Sequence, residues 1–322
     1  MKIPAQCSVK ALRPRHHPSV VMTDKHTGLQ VVGAAKGGAT VTTQLVLRHL
    51  GLMEEALSHH SWIHKYRMEV FLKDYHHTPR RCKDKCYKDR WLCIKIVRSV
   101  VDRAVSSYIH TLKHLADDFP DLVAVTQERG VSAKQASFQM FLQALERRAA
   151  QPYRYSRGED HFMPQADKDC GVEQGVHHVP LEALHESMTL VNQTHGVFLD
   201  STGFTSSHYI KKNTTDGGEG QVQTKHEDVS GRLFDQLFKT VGPKTKLAFP
   251  YDAFFENEQA NAQFCQLYCR DIFLYAEMCS QSLLRSDAVI QHACVMEQQR
   301  ILHICGNDYF QQSSPPTTNA VV

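Results

Sequence analysis

The chain has 322 residues, 42% hydrophobic and 22% charged, with a formal net charge of +3 at pH 7 and an isoelectric point near 8.3. This composition belongs to an ordinary globular chain with enough apolar residues for a large core, and so mild a charge excludes a role resting on bulk attraction to nucleic acid. No apolar run approaches the roughly 18 residues of a membrane span, so no membrane segment is expected.

Residues 1–27, which carry prolines, histidines and arginines, read as a loosely ordered lead-in. Leu29 to Leu50, LQVVGAAKGGATVTTQLVLRHL, is the most informative stretch. An apolar, β-branched run (Leu29, Val31, Val32) enters a small-residue turn from Gly33 to Thr40. Beyond it the apolar spacing becomes helical at Val41, Leu45, Leu47 and Leu50. Strand, glycine turn and helix start make an anion cradle, because the first helical N–H groups point one way and the helix dipole favours negative charge there. The frame Gly33-x-x-x-x-Gly38-Ala39-Thr40 is that of a Walker A loop with alanine in place of its lysine, and Lys36 sits mid-loop instead.

Met53 to Arg90 is polar, histidine-rich and increasingly basic, with Arg80, Arg81, Lys83, Lys85, Lys88 and Arg90 against Asp84 and Asp89. It reads as a solvated face or as a rim that attracts an anionic ligand. Trp91 to His114 repeats the strand–turn–helix pattern. Leu92, Ile94, Ile96 and Val97 form a buried strand ending on Arg98, and Val101, Val105, Tyr108, Ile109 and Leu112 form a helical stripe with Ser106 one turn in. A guanidinium and a hydroxyl at the carboxyl edge of a parallel sheet are a sensible grip on a phosphate.

Ala133 to Ala149 reads as a packing helix, and Phe264, Tyr268, Ile272, Tyr275 and Cys279 as the core stripe of a late helix. Residues 201–230 read as a mobile loop and the tail from Ser313 as disordered. The expected organisation is therefore a lead-in at 1–27, one α/β domain at 28–280 and an extension at 281–322. Twenty histidines form no HExxH or other metal spacing, so no metal is expected. Of ten cysteines the close pairs are Cys82/Cys86 and Cys265/Cys269, neither a zinc knuckle. Without a leader the expectation is a cytoplasmic protein with free thiols, and the sequons at Asn192 and Asn213 matter only on a secretory route.

The loop Ala35-Lys36-Gly37-Gly38-Ala39-Thr40 resembles the 5′-phosphosulfate loop of sulfotransferases that use 3′-phosphoadenosine 5′-phosphosulfate (PAPS). Ile96 to Tyr108, IVRSVVDRAVSSY, resembles the same family's 3′-phosphate motif, V-R-D-P-x-x-R-x-V-S-x-Y, departing from it at Ser99 and Val100. His161-Phe162-Met163-Pro164-Gln165, His177 to Leu184 and the late helix Phe254 to Met278 are similar to elements of the carbohydrate (Golgi-type) branch, so the resemblance covers about Leu29 to Met278.

The resemblance implies a P-loop-like sulfotransferase fold, with a central, mostly parallel sheet flanked by helices. It implies PAPS as co-substrate, held by Lys36, Gly37, Gly38, Ala39, Thr40 and Val41 at the 5′ end and by Arg98 and Ser106 at the 3′-phosphate. Sulfuryl transfer is an in-line displacement, with Lys36 meeting the charge that builds on the leaving oxygen. The acceptor needs a base, and His161 and His77 (or His76) are the candidates. The acceptor is a carbohydrate or small molecule. A soluble-metabolite sulfotransferase, a nucleotide phosphotransferase and an inactive nucleotide-binding module are the alternatives, with the Golgi lumen as the alternative compartment.

Overall fold

A computed structural model describes residues 7, 19–74, 91–151, 161–165, 176–202, 204, 228–241, 244–281 and 284–306. Its central sheet has four strands in the order β1 (Ser19–Asp24), β2 (Leu29–Ala34), β3 (Leu92–Val97) and β4 (Val176–Pro180). Strands β2, β3 and β4 are parallel, with Val31 opposite Ile94 and Ile94 opposite His177, and β1 is an antiparallel edge strand. All six residues of β2 are buried, which is why, Gln30 apart, it reads as a small and apolar run. The expected α/β architecture is present: a mostly parallel sheet flanked by helices.

Helices follow each parallel strand: α1 (Ala39–His49) after β2, and α2 (Met53–His59) beyond it. Next comes α3 (Ile63–Tyr66), continued by a π-helical turn at Arg67–Phe71 and by α4 (Leu72–Asp74). After β3 come α5 (Val100–His114), α6 (Pro120–Gln127) and α7 (Phe138–Ala150), and after β4 comes α8 (Leu184–His195). A hairpin of β5 (Phe238–Val241) and β6 (Lys244–Leu247) precedes α9 (Glu258–Leu267), α10 (Cys269–Ser280) and α11 (Ala288–Cys305).

Two apolar clusters make up most of the core. One packs Leu45 and Leu47 of α1 and Met188 of α8 against Val31 and Ile94. The larger one joins α5, α6, α7 and the last three helices around Tyr108, Phe138, Phe254 and Tyr275. Within it Arg103 of α5, fully buried, pairs with buried Asp271 of α10 at 3.1 Å and donates to the Met163 carbonyl. A buried pair is costly to break one-sidedly, so it fixes the seating of α5 on α10.

Several expectations are corrected. The lead-in at 1–27 contains β1, whose turn back into β2 is built by Asp24: it accepts from the His26 N–H (2.9 Å) and the Thr27 hydroxyl (2.5 Å). The late helix is broken into α9 and α10 at Tyr268, and the segment beyond 280 supplies α11, whose Ile290, Cys294 and Ile301 join the main core. The thiols are not free: Cys7–Cys269, Cys265–Cys305 and Cys279–Cys294 are disulfides, and Cys93 is disulfide-bonded as well. Most of 201–230, and the tail from 307, lie outside the described residues. No helix among the described residues is long and apolar enough to cross a membrane.

Candidate functional site

The loop between β2 and α1 closes so tightly that glycine is required. At Gly33 a Cβ would strike the Thr42 hydroxyl and come within 2.9 Å of the Gly38 carbonyl, and at Gly37 it would strike the Gln165 amide. Gly38 has φ +119° and lies against Ile96 of β3. Lys36 itself is left-handed at φ 60°, a conformation that costs a non-glycine residue about 1–3 kcal/mol and is held by its surroundings. The Gly37 N–H is spent on the Ala34 carbonyl at 2.9 Å, so it is not free for a ligand. No side chain caps α1 and its first turn has no acidic residue. Among the described residues no acceptor takes the N–H groups of Ala39, Thr40 and Val41. These are the open donors.

Arg98, at the end of β3, is brought to this loop: its Nη1 donates to the Lys36 carbonyl at 3.1 Å. Its backbone is clamped by Gln165, which accepts from the Arg98 N–H (2.8 Å) and donates to its carbonyl (2.9 Å). The half-buried Tyr251 phenol faces the guanidinium. Burial raises its pKa, and Arg98 opposes the shift. Burial and then Arg98 hold the Lys36 ammonium down to about 8. Ser106 lies in the second turn of α5; it is buried, and its hydroxyl makes no hydrogen bond among the described residues.

The turn after Arg98 is rigid without the Asp-Pro of the resembled motif. Ser99 caps α5 by accepting from the Asp102 N–H at 3.1 Å, and its own N–H donates to Glu182 at 2.8 Å. Glu297 of α11, 3% exposed, accepts from the Ser99 hydroxyl (2.7 Å) and the Val101 N–H (3.2 Å). Arg300 then binds Glu297 (3.1 Å), Asp102 (2.9 Å) and Asp252 (2.8 Å). The start of α5 is thus filled by the protein's own carboxyl groups, and a ligand here meets the Arg98 side chain rather than the helix end.

The candidate bases separate. His77 lies outside the described residues. His161 stacks on His110 at 4.0 Å between centroids, while Ser107 donates to its carbonyl at 2.6 Å. Burial, then Lys36, His161 and His114, push His110 down to about 3, which places this histidine group in the field of the cradle lysine. Sequence reading missed His64. Its Nε2 lies 3.0 Å from the Thr40 hydroxyl and its Nδ1 lies 3.4 Å from that of Thr43. Burial and then Arg67 push its imidazole down to about 4, so it is neutral at physiological pH. The signal was thin, since His64 is one of 20 histidines and its partner Thr40 is 24 residues away.

Among the described residues no carboxylate pairs with Lys36, Arg98 or Arg67, and no group of three or more His, Cys, Asp or Glu is placed to hold a metal. The arrangement is a cationic cradle with open amides, suited to a multiply charged anion. A separate open hollow of about 620 Å³, lined by Asn261, Gln266, His303 and Gly306, lies about two helical turns from Glu297 along α11 and contains none of these groups. Comparison with protein-family models, curated proteins and solved structures finds no match to this chain.

Proposed function

We propose that the chain is a PAPS-dependent sulfotransferase, moving a sulfuryl group to a hydroxyl (or amine) of a carbohydrate or small-molecule acceptor and releasing PAP, adenosine 3′,5′-bisphosphate. The observation that carries this reading is the junction of two strand-end cations, Lys36 and Arg98, beside uncapped amides, with no carboxylate among the described residues to neutralise them. A buried or half-buried cation left without an anion is costly unless a ligand supplies one. Alanine at position 39, where a Walker loop has its lysine, disfavours nucleotide phosphotransfer.

In this reading the amides of Ala39 to Val41 and the Thr40 hydroxyl hold the 5′-phosphosulfate, and Arg98 with Ser106 holds the 3′-phosphate. Lys36 stabilises the charge that develops as the sulfur–oxygen bond to the leaving phosphate breaks. His64 replaces His77 and His161 as the preferred base: it is neutral, adjoins Thr40, and accepts the acceptor's proton as the new sulfur–oxygen bond forms. The disulfides favour an oxidising compartment, hence the Golgi lumen and a carbohydrate acceptor over a cytosolic metabolite.

Conversion of PAPS to PAP, followed over a panel of glycan acceptors, tests this. Lys36→Ala is expected to keep its melting temperature within a few degrees and to lose on the order of 100- to 1000-fold in turnover. Near wild-type turnover would remove Lys36 from the mechanism. His64→Gln should fall further than His161→Gln, and the reverse order would return the base to His161.

A further inference from the structure

The segment from Trp62 to Arg67 carries features that the cradle does not use. Trp62 is 53% exposed, one of the few large apolar side chains among the described residues left facing solvent, and its ring meets His64 edge-on at 5.7 Å. Arg67 is half-buried, yet its Nε is enclosed and has no hydrogen-bond partner, and no carboxylate among the described residues acts on it. The nearest acid in sequence, Glu69, is engaged elsewhere, with His59 at 3.0 Å and with Lys65 and Lys73 about it. Arg67 also opens the π-helical turn Arg67–Phe71. Single π turns inside helices are unfavourable and concentrate at functional sites.

His64 stands between these features and the cradle, bonded to Thr40 on one side and feeling Arg67 on the other. A half-buried guanidinium whose enclosed Nε has no partner among the described residues favours an anion, and its planar fork suits a carboxylate or a sulfate ester. The exposed indole of Trp62, against His64, offers a flat apolar face for the C–H face of a pyranose ring. We propose that Trp62 and Arg67 form the acceptor subsite and that they select an acidic sugar, its ring on Trp62 and its anionic group on Arg67, with the reacting hydroxyl delivered towards His64. This rests on the sulfotransferase reading for the reaction, whereas the binding site itself stands on Trp62 and Arg67.

The chain has only two tryptophans, so intrinsic fluorescence reports the subsite directly. The probes are a glucuronic acid-containing disaccharide, its carboxyl-reduced counterpart and a sulfated neutral disaccharide, titrated into the full chain with and without PAP. Both acidic probes are expected to give saturable quenching, with the carboxyl-reduced one roughly 10- to 100-fold weaker, as loss of a charged hydrogen bond predicts. Trp62→Phe should remove most of the signal. Arg67→Gln should erase the acidic preference and Arg67→Lys retain part of it, all three variants keeping wild-type PAP affinity. Equal affinity for reduced and acidic probes in the wild type, or no quenching, would overturn the subsite. Because that comparison needs no variant, misfolding of Arg67→Gln cannot obscure it. Failure of PAP to bind while acidic probes still quench would instead sink the sulfotransferase reading and leave an acidic-sugar site.

Discussion

Strand–turn–helix units β2–α1 and β3–α5 lie side by side in the sheet, and they finish their helix starts in opposite ways. At α1 the cap is Gly38, the first turn has no acid, and three amides stay open beside Lys36. At α5 the cap is Ser99, and Glu182 from the β4–α8 connection and Glu297 from α11 fill the end. The same element is therefore left bare where small residues form it, as the proposed ligand cradle requires, and becomes a rigid mount where carboxyl groups occupy it. The mount has its own use, since it fixes the backbone from which Arg98 reaches Lys36.

The largest expected effect comes from opening the closed end. Glu297→Ala strands the Ser99 hydroxyl, the Val101 N–H and one contact of Arg300, and should cost about 3–5 kcal/mol of stability in denaturant unfolding, as breaking a buried charged network does. A loss below about 1 kcal/mol would show that α5 holds its start without α11.

A smaller effect is expected from titration. Burial pushes the Glu182 carboxyl up to about 8; the Ser99 N–H opposes this, and Glu297 and Asp102 add to it. The residue's stem reaches the surface, but Oε2 is enclosed and without a partner, so the carboxyl behaves as buried. A carboxyl raised in the folded state contributes stability that is complete below its unfolded pKa of about 4.5 and is lost as pH rises through about 8. The melting temperature should therefore decline between pH 5 and 8, and Glu182→Gln should flatten that decline while keeping the acceptor for Ser99. An unchanged slope would assign the pH dependence elsewhere. Ser99→Ala is the mildest change, about 1 kcal/mol for a lost cap, and a cost no greater than that of an exposed serine would show that Glu297 alone holds the turn.

Much of this was legible in the sequence where the signal is local. Periodicity from Leu29 to Leu50 and from Leu92 to Leu112 marked both units, and the glycines marked the tight loop that the Thr42, Gln165 and Ile96 contacts explain. Distant pairings were not legible. Glu297 meets Ser99 across 198 positions, and Cys7 meets Cys269 across 262. No spacing rule reaches that far, and ten cysteines permit many connectivities. The rigidity of the turn at Ser99 was not legible either, because Glu182 and Glu297 lie on other elements. His64 was hidden for the same reason: its contact with Thr40 comes from α3 folding back over α1.

The most direct test of the central claim is calorimetric titration of PAP against ADP. Both carry two phosphate groups on adenosine, but only PAP places one at the 3′ position, where Arg98 should meet it. The account predicts that PAP binds at least roughly tenfold more tightly, the equivalent of one charged hydrogen bond, and that Arg98→Ala removes the difference. Equal affinity for ADP, or no binding of PAP, would contradict it and leave the bare helix start of α1 without its proposed ligand.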